Sequence, residues 1–393
     1  MAERVTGEHV RCTTHEKPFF AFVPFPLPPV PALVFDDTLY DLLEQANRAL
    51  GRLDGLTVLL PDTQLFTYFY VRKEAVLSSQ IEGTQTSLEQ FLLYEIEEAP
   101  GVPLDDVQEV SSYVRALNYG LASIRSSGQV PLSLRLLKEM HEILLSKGRG
   151  SSRAPGEFRK TQNWIGGPSP DKASFVPPPP ERIMECLDIF EKFLHDDPIR
   201  TPLLIKTALV HVQFETIHPF SDGNGRLGRL LITLLLCSEM ALREPMLYLS
   251  LYFKVHRDEY YSRLQNVRRT GDWEGWLEYF LKGVLDTAHQ AVSAAESMLK
   301  LFSEDRHRID SLGRTASSIL RVHEVLQSKP LISVSGIVEL VGLSQPTVNA
   351  AIKQLEKMGI VREITGRARY RLYIYDKYLE ILDEGTKPSE LEG

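Results

Sequence analysis

Cysteine is scarce: Cys12, Cys186 and Cys237 are the whole complement of a 393-residue chain. Three scattered thiols build neither a disulfide framework nor a zinc cluster. Long apolar runs are missing too. The most apolar stretch, residues 230–237, falls well short of the roughly 20 residues that cross a bilayer, so no membrane partner is expected. The opening residues, MAERVTGEHVRCTTHEK, lack the apolar core of a secretory leader, which makes the cytoplasm the expected compartment. Nor is there an excess of positive charge. With 44 Lys+Arg against 52 Asp+Glu the net charge is −8, which excludes a surface coated in nucleic acid and leaves room only for a local basic patch.

What the chain has in quantity is helical periodicity. Its length predicts about two to four domains. Residues 18–31, crowded with Pro and Phe, read as an extended strap lying over a surface. Helical spacing follows at 37–53 and 65–82, the second stopping at Gly83. Thr86-x-x-Glu89 and Ser87-x-x-Gln90 are overlapping capping boxes for a further helix. Helical patterns recur at 107–126, 133–145, 181–195, 201–216, 225–240 and 258–270. Residues 157–180 interrupt them with a short alternation, Gly-Gly and prolines, the grammar of a small β-hairpin. Residues 288–311 read as a connecting helix without a strong apolar stripe. The last region, with helical patterns at 315–327, 334–341 and 346–358 and a hairpin turning near Gly366-Arg367, reads as a winged helix-turn-helix. The expected division is 1–105, an N-terminal strap and helical region; 106–285, a catalytic core; 286–312, the connecting helix; 313–385, the winged helix; and 386–393, a tail.

The chemistry concentrates in residues 218–229, HPFSDGNGRLGR. Gly223 and Gly225 flank Asn224 and let successive N–H groups converge as an anion nest. Leu227, Leu230, Leu231, Leu234 and Leu235 have the spacing of a buried helix that starts at that nest, where a helix N-terminus favours phosphate. Arg226 and Arg229 lie close enough in the first turn to reach phosphate oxygens. Asp222 suits a Mg²⁺ ion that bridges such oxygens. His218 is of the type that accepts a hydroxyl proton. These parts make a phosphate-transfer site. The stretch lacks the spacing of an EF-hand loop, and the chain lacks a P-loop.

The same residues resemble the signature of the Fic (Fic/Doc-like) family, H-x-F-x-[DE]-G-N-G-R-x-x-R, at every defined position. The resemblance implies a mainly α fold: a helical Fic core with a small β-hairpin flap, here followed by a winged helix-turn-helix. It implies transfer of AMP from ATP to a Ser, Thr or Tyr hydroxyl of a target protein, with Mg²⁺ as cofactor. His218 becomes the base and Asp222 the metal ligand. Gly223, Asn224, Gly225, Arg226, Leu227, Gly228 and Arg229 form the ATP-binding stretch, and Phe220 is its buried anchor. Ile165, Gly166 and Gly167 resemble the flap that clamps the target, and Tyr260 and Tyr261 resemble the family's adenine-lining pair. Helix core is an equal alternative for those two tyrosines. Ser78-x-x-x-Glu82-Gly83 resembles the family's inhibitory motif, in which the Glu pairs with the second arginine, here Arg229. Self-modification and a homodimer remain open, as do phosphorylation on the same fold and a nucleotide-sensing, DNA-binding regulator.

Residues 313–380 carry ten Lys/Arg against six Asp/Glu. Gln345, Thr347 and Asn349 stand early on the candidate recognition helix, and Arg362, Arg367, Arg369 and Arg371 on the wing. Those types suit base edges and phosphates respectively, so DNA is a candidate partner, with protein docking the alternative.

Overall fold

A computed structural model describes residues 4–13, 17–59, 63–96, 104–126, 131–367 and 371–384. The N-terminal segment forms a hairpin, β1 (Gly7–Cys12) and β2 (Phe19–Pro24), antiparallel with Gly7 opposite Pro24. The strap expected over 18–31 is therefore a strand in its first half. Phe19, Ala21, Phe22 and Val23 are buried while Phe20 faces out, and the Phe22 N–H donates to the Val176 carbonyl at 2.8 Å. β1 is not legible in the sequence because GEHVRC has one strongly apolar residue, Val10, too few to mark an inner face.

Three helices follow: α1 (Asp37–Leu59), α2 (Thr63–Ile81) and α3 (Leu88–Ile96). Gly83 adopts a positive φ just past α2. Of the two overlapping boxes, Ser87 and Gln90 make the reciprocal pair: the Ser87 N–H donates to Gln90 Oε1 at 2.9 Å and the Gln90 N–H to Ser87 Oγ at 3.2 Å. Thr86 is instead buried, its carbonyl accepting from Gln80.

The body is α4 (Leu104–Arg125), α5 (Leu134–Leu144), α6 (Ile183–Leu194), α7 (Leu203–Ile217), α8 (Asn224–Ser238), α9 (Ser250–Val255), α10 (Arg257–Thr270) and α11 (Trp273–Asp310). α7 and α8 are buried almost all round, the pattern of a central helix pair wrapped by others. Residues 157–180 form a loop closed by a single antiparallel bridge, Ile165 with Phe175, rather than a long ladder. α11 runs unbroken through residues 285 and 286. Contrary to expectation, its second half does carry a buried stripe: Ala288, Ala291, Val292, Ala295, Met298 and Phe302. Alanines contribute little hydrophobicity to a sequence pattern, yet they let helices approach closely, and α11 packs along α1.

The C-terminal unit comprises α12 (Ala316–Ser328), β3 (Leu331–Ser333), α13 (Val334–Val341), α14 (Gln345–Lys357), β4 (Arg362–Glu363), β5 (Leu372–Ile374) and α15 (Asp376–Asp383). Its sheet has the order β3-β5-β4, all antiparallel. Gly342, at positive φ, ends α13, and Ser344 caps α14. The unit docks on the body through α15. Tyr378 packs its ring on Phe69 of α2 and Phe302 of α11, at 5.5 and 4.9 Å, and the Tyr375 hydroxyl donates to Asp305 at 2.7 Å. Gln345 and Asn349 face outward on α14. Arg362 is paired with Asp376 at 2.7 Å. Arg369 and the tail at 386–393 lie outside the described residues. Among the described residues no helix is long and apolar enough to cross a membrane.

Candidate active site

α7 ends at His218, whose φ of 49° places it in the left-handed region, and the chain turns through residues 219–223 into α8. Gly223, at φ 75°, is the N-cap, a conformation a side chain would strain. The Asn224 carboxamide closes the loop: its Oδ1 accepts from the Phe220 N–H at 2.9 Å and its Nδ2 donates to the Phe220 carbonyl at 2.8 Å. That amide is thus engaged with the loop's own backbone, not turned to a ligand. Phe220 is fully buried and stacks on the His141 ring at 3.8 Å.

His141 was not legible in the sequence. Its Nδ1 accepts from the Gly156 N–H at 2.9 Å, so the proton sits on Nε2, which donates to the Asp222 carbonyl at 2.9 Å. Burial pushes this imidazole down to about 4, and it stays neutral. Nothing local signals a partner 81 residues away.

His218 is pushed down to about 3, first by burial and then by the positive charge of Arg268 and Arg159. Its Nδ1 lies 3.8 Å from the Glu215 carboxylate, which burial pushes up to about 7. Arg159 donates from Nε to the His218 carbonyl at 2.9 Å, and Arg268 from Nη2 to the Glu215 carbonyl at 3.0 Å. At neutral pH His218 is therefore an uncharged imidazole in a cationic surround. The flap is tied to the same loop: the Arg159 N–H donates to the Pro219 carbonyl at 2.9 Å and Asn163 Nδ2 to the Phe220 carbonyl at 3.1 Å. Ile165, Gly166 and Gly167 form the outer turn of that flap, Gly166 accepting from the Ser174 N–H at 2.7 Å.

At the N-terminus of α8 the two arginines part company. Arg229 donates from Nε to Ser78 Oγ at 2.8 Å, and from Nη2 to the Ser78 carbonyl at 3.0 Å and Glu82 Oε1 at 2.6 Å. Glu82 Oε1 lies so near Gly225 that a Cβ there would stand 2.3 Å away, so only glycine permits this approach. Burial alone would raise the Glu82 carboxyl, but Arg229, with Arg226 behind it, outweighs burial and holds it below the ordinary carboxylate range. Arg226 turns the other way, to Glu109 at 3.2 Å and Asp222 at 3.5 Å. Leu227 is core, and the Gly228 carbonyl meets His211 Nδ1 at 3.1 Å.

The two tyrosines also differ. Tyr260 is buried against Phe253, its hydroxyl 2.8 Å from His211 Nε2, whereas Tyr261 is 42% exposed beside it. Asp222 offers one half-exposed carboxylate, and among the described residues no three metal-binding side chains converge. One carboxylate fits a Mg²⁺ ion, which keeps waters and phosphate oxygens as its other ligands.

Family models agree with this arrangement. The Fic/DOC family N-terminal model matches residues 40–122, the Fic/DOC family model 131–236, and a winged helix-turn-helix DNA-binding model 317–362. The chain carries both Fic/DOC family domains, followed by a winged helix-turn-helix. Among its relatives, the protein adenylyltransferase Fic of Aedes aegypti is 29% identical over 247 residues, 62% of this chain and 46% of the relative. The protein adenylyltransferase fic-1 of Caenorhabditis elegans is 31% identical over 248 residues, 62% of this chain and 44% of the relative. The chain thus spans about half the length of the curated relatives it matches. A Fic family protein from Desulfovibrio desulfuricans G20 shares the fold across 87% of this chain and 97% of its own, with TM-score 0.57 and 19% identity. Fic-1 from Caenorhabditis elegans shares it over 66% of this chain and 74% of its own, with TM-score 0.51 and 23% identity.

Proposed function

We propose that this Fic/DOC protein transfers AMP from ATP to a hydroxyl of a protein target and that Glu82 restrains it. The observation that carries the reading is the seat of the Glu82 carboxylate, on Gly225 at the start of α8 and paired with Arg229, where a nucleotide's terminal phosphate would stand. In the transfer, neutral His218 takes the target's hydroxyl proton while that oxygen bonds to the α-phosphorus. The bond from the α-phosphorus to the bridging oxygen breaks, and pyrophosphate leaves. Backbone N–H groups at the N-terminus of α8 supply fixed positive charge for the phosphates. Asp222 would hold Mg²⁺, which when bound neutralises phosphate charge. With Arg229 committed to Ser78 and Glu82, the triphosphate loses its guanidinium partner and its productive pose. His218 poised as a neutral base favours an enzyme over a nucleotide sensor.

Free Cys12, Cys186 and Cys237 suit a reducing cytoplasm. The outward face of α14 offers Gln345 and Asn349 to duplex DNA. Intact-mass measurement of the purified chain and of lysate proteins after incubation with ATP and Mg²⁺ tests the activity. The Glu82→Gly variant should produce species heavier by one AMP, and Glu82→Gly/His218→Ala should produce none.

A further inference from the structure

The N-terminal module, taken as residues 40–122 that the Fic/DOC family N-terminal model matches, brings a second carboxylate to the site, one that the family signature does not contain. Glu109, on α4, has a side chain only 1% exposed, and its Oε2 stands 3.2 Å from Nη1 of Arg226, itself 2% exposed. Arg226 Nη2 continues to Asp222 Oδ1 at 3.5 Å. A chain of charges therefore runs from α4 through the first turn of α8 to the loop. Glu109 also fastens the turn after α5, accepting from the Arg149 N–H and from its guanidinium, each at 3.2 Å. That turn presses on the same target: a Cβ on Gly150 would lie 2.9 Å from Asp222 Oδ2.

An arginine between two carboxylates is neutralised at both ends, so Arg226 has little charge left for phosphate. Remove the distal partner and its guanidinium has one carboxylate to turn to, Asp222. Ionic contacts of this kind orient the residues that meet a cation.

We propose that Glu109 is a positioning residue that sets, through Arg226 and the Arg149 turn, where the Asp222 carboxylate stands. The N-terminal module then has two opposed roles: Glu82 of α2's end obstructs the site, and Glu109 of α4 supports it. The inference rests on the reading of Asp222 as the residue that meets a cation at the phosphates.

The test measures Mn²⁺ binding by electron paramagnetic resonance, with a non-hydrolysable ATP analogue present, in full-length Glu82→Gly protein and its further variants. Glu109→Gln should weaken Mn²⁺ at least about tenfold. Glu109→Gln/Arg226→Met should recover most of that loss, because the arginine that captures Asp222 is gone. A merely structural role predicts that the double variant binds no better than the single one, and that result overturns the proposal. So does unchanged Mn²⁺ affinity in Glu109→Gln. Thermal unfolding of each variant verifies that the folded protein is measured. If Glu82→Gly binds the analogue but no Mn²⁺, the cation role of Asp222 falls and the proposal with it. Mn²⁺ binding by Glu82→Gly that Glu109→Gln leaves intact removes the Glu109 proposal alone.

Discussion

Glu82 and Arg229 meet at 2.6 Å across 147 positions of sequence, joining the end of α2 to the first turn of α8. The same guanidinium takes Ser78 one turn earlier, so three hydrogen bonds lock the arginine to one helix. α2 itself is buried along most of its length, from Leu65 to Ile81, and cannot swing away without exposing apolar surface. The Glu82–Arg229 pair is thus held by packing as well as by charge.

Substituting Glu82 should release it. A charge-assisted hydrogen bond contributes about 1.5–3 kcal/mol, so Glu82→Gly should raise AMP transfer by roughly 10- to 100-fold. Ser78→Ala, which removes a neutral partner of the same arginine, should raise it by less, roughly fivefold. Initial rates of label incorporation from ATP measure both. Equal rates in wild type and Glu82→Gly contradict the restraint.

His218 should remain a competent base in mild acid. An imidazole of ordinary pKa near 6.5 loses its base form tenfold per pH unit below that value. His218 is pushed down to about 3 by burial, Arg268 and Arg159. In Glu82→Gly protein, kcat/KM for ATP should therefore show no inflection near pH 6.5. A tenfold fall between pH 6.5 and 5.5 would show that His218 titrates as a free imidazole.

Glu74, fully buried between α2, α4 and α9, accepts from the Ser250 N–H at 3.1 Å and the Tyr113 hydroxyl at 3.3 Å. Burial pushes it up to about 7. Because the folded value is raised, its contribution to stability is complete below the unfolded value near 4.5 and is lost as pH rises through 7. Glu74→Gln cannot ionise and lacks this decline. The melting temperature of the variant, relative to wild type, should therefore rise between pH 5 and pH 8. A constant difference across that range contradicts the assignment.

The paired tyrosines give separable outcomes. Tyr260→Phe removes the hydroxyl that meets His211 and should cost about 1 kcal/mol in stability, leaving KM for ATP unchanged. Tyr261→Ala, at the exposed ring, should raise KM for ATP with little effect on stability. Urea unfolding and saturation kinetics distinguish the two, and the reverse assignment would place the base against Tyr260.

Much of this molecule is legible in the sequence, and what is not has identifiable physical causes. Residues 218–229 signal a loop that opens a helix because every necessary residue type lies within one short stretch. The end of α2 is marked by Gly83 and the start of α3 by Ser87 and Gln90, residues whose capping chemistry is local. His141 and Glu109 were not visible, since their partners Asp222 and Arg226 lie 81 and 117 positions away. Asn224 illustrates a different limit: its identity was clear, but only the fold shows that its amide binds Phe220. The second half of α11 and β1 give weak hydrophobic signals, because Ala288, Ala291 and Ala295 make up half of the buried stripe named on α11 and Val10 is the one strongly apolar residue of β1.

The central claim is that Arg229, freed from Glu82, serves a nucleotide whose α-phosphorus is passed to a protein. Label transfer from ATP carrying tracer on either the α- or the γ-phosphate tests it most directly, with wild type, Glu82→Gly and Glu82→Gly/His218→Ala compared in lysate with Mg²⁺. The account predicts protein label from the α position alone, raised by Glu82→Gly and abolished with His218. Label from the γ position alone would make the protein a kinase and contradict it.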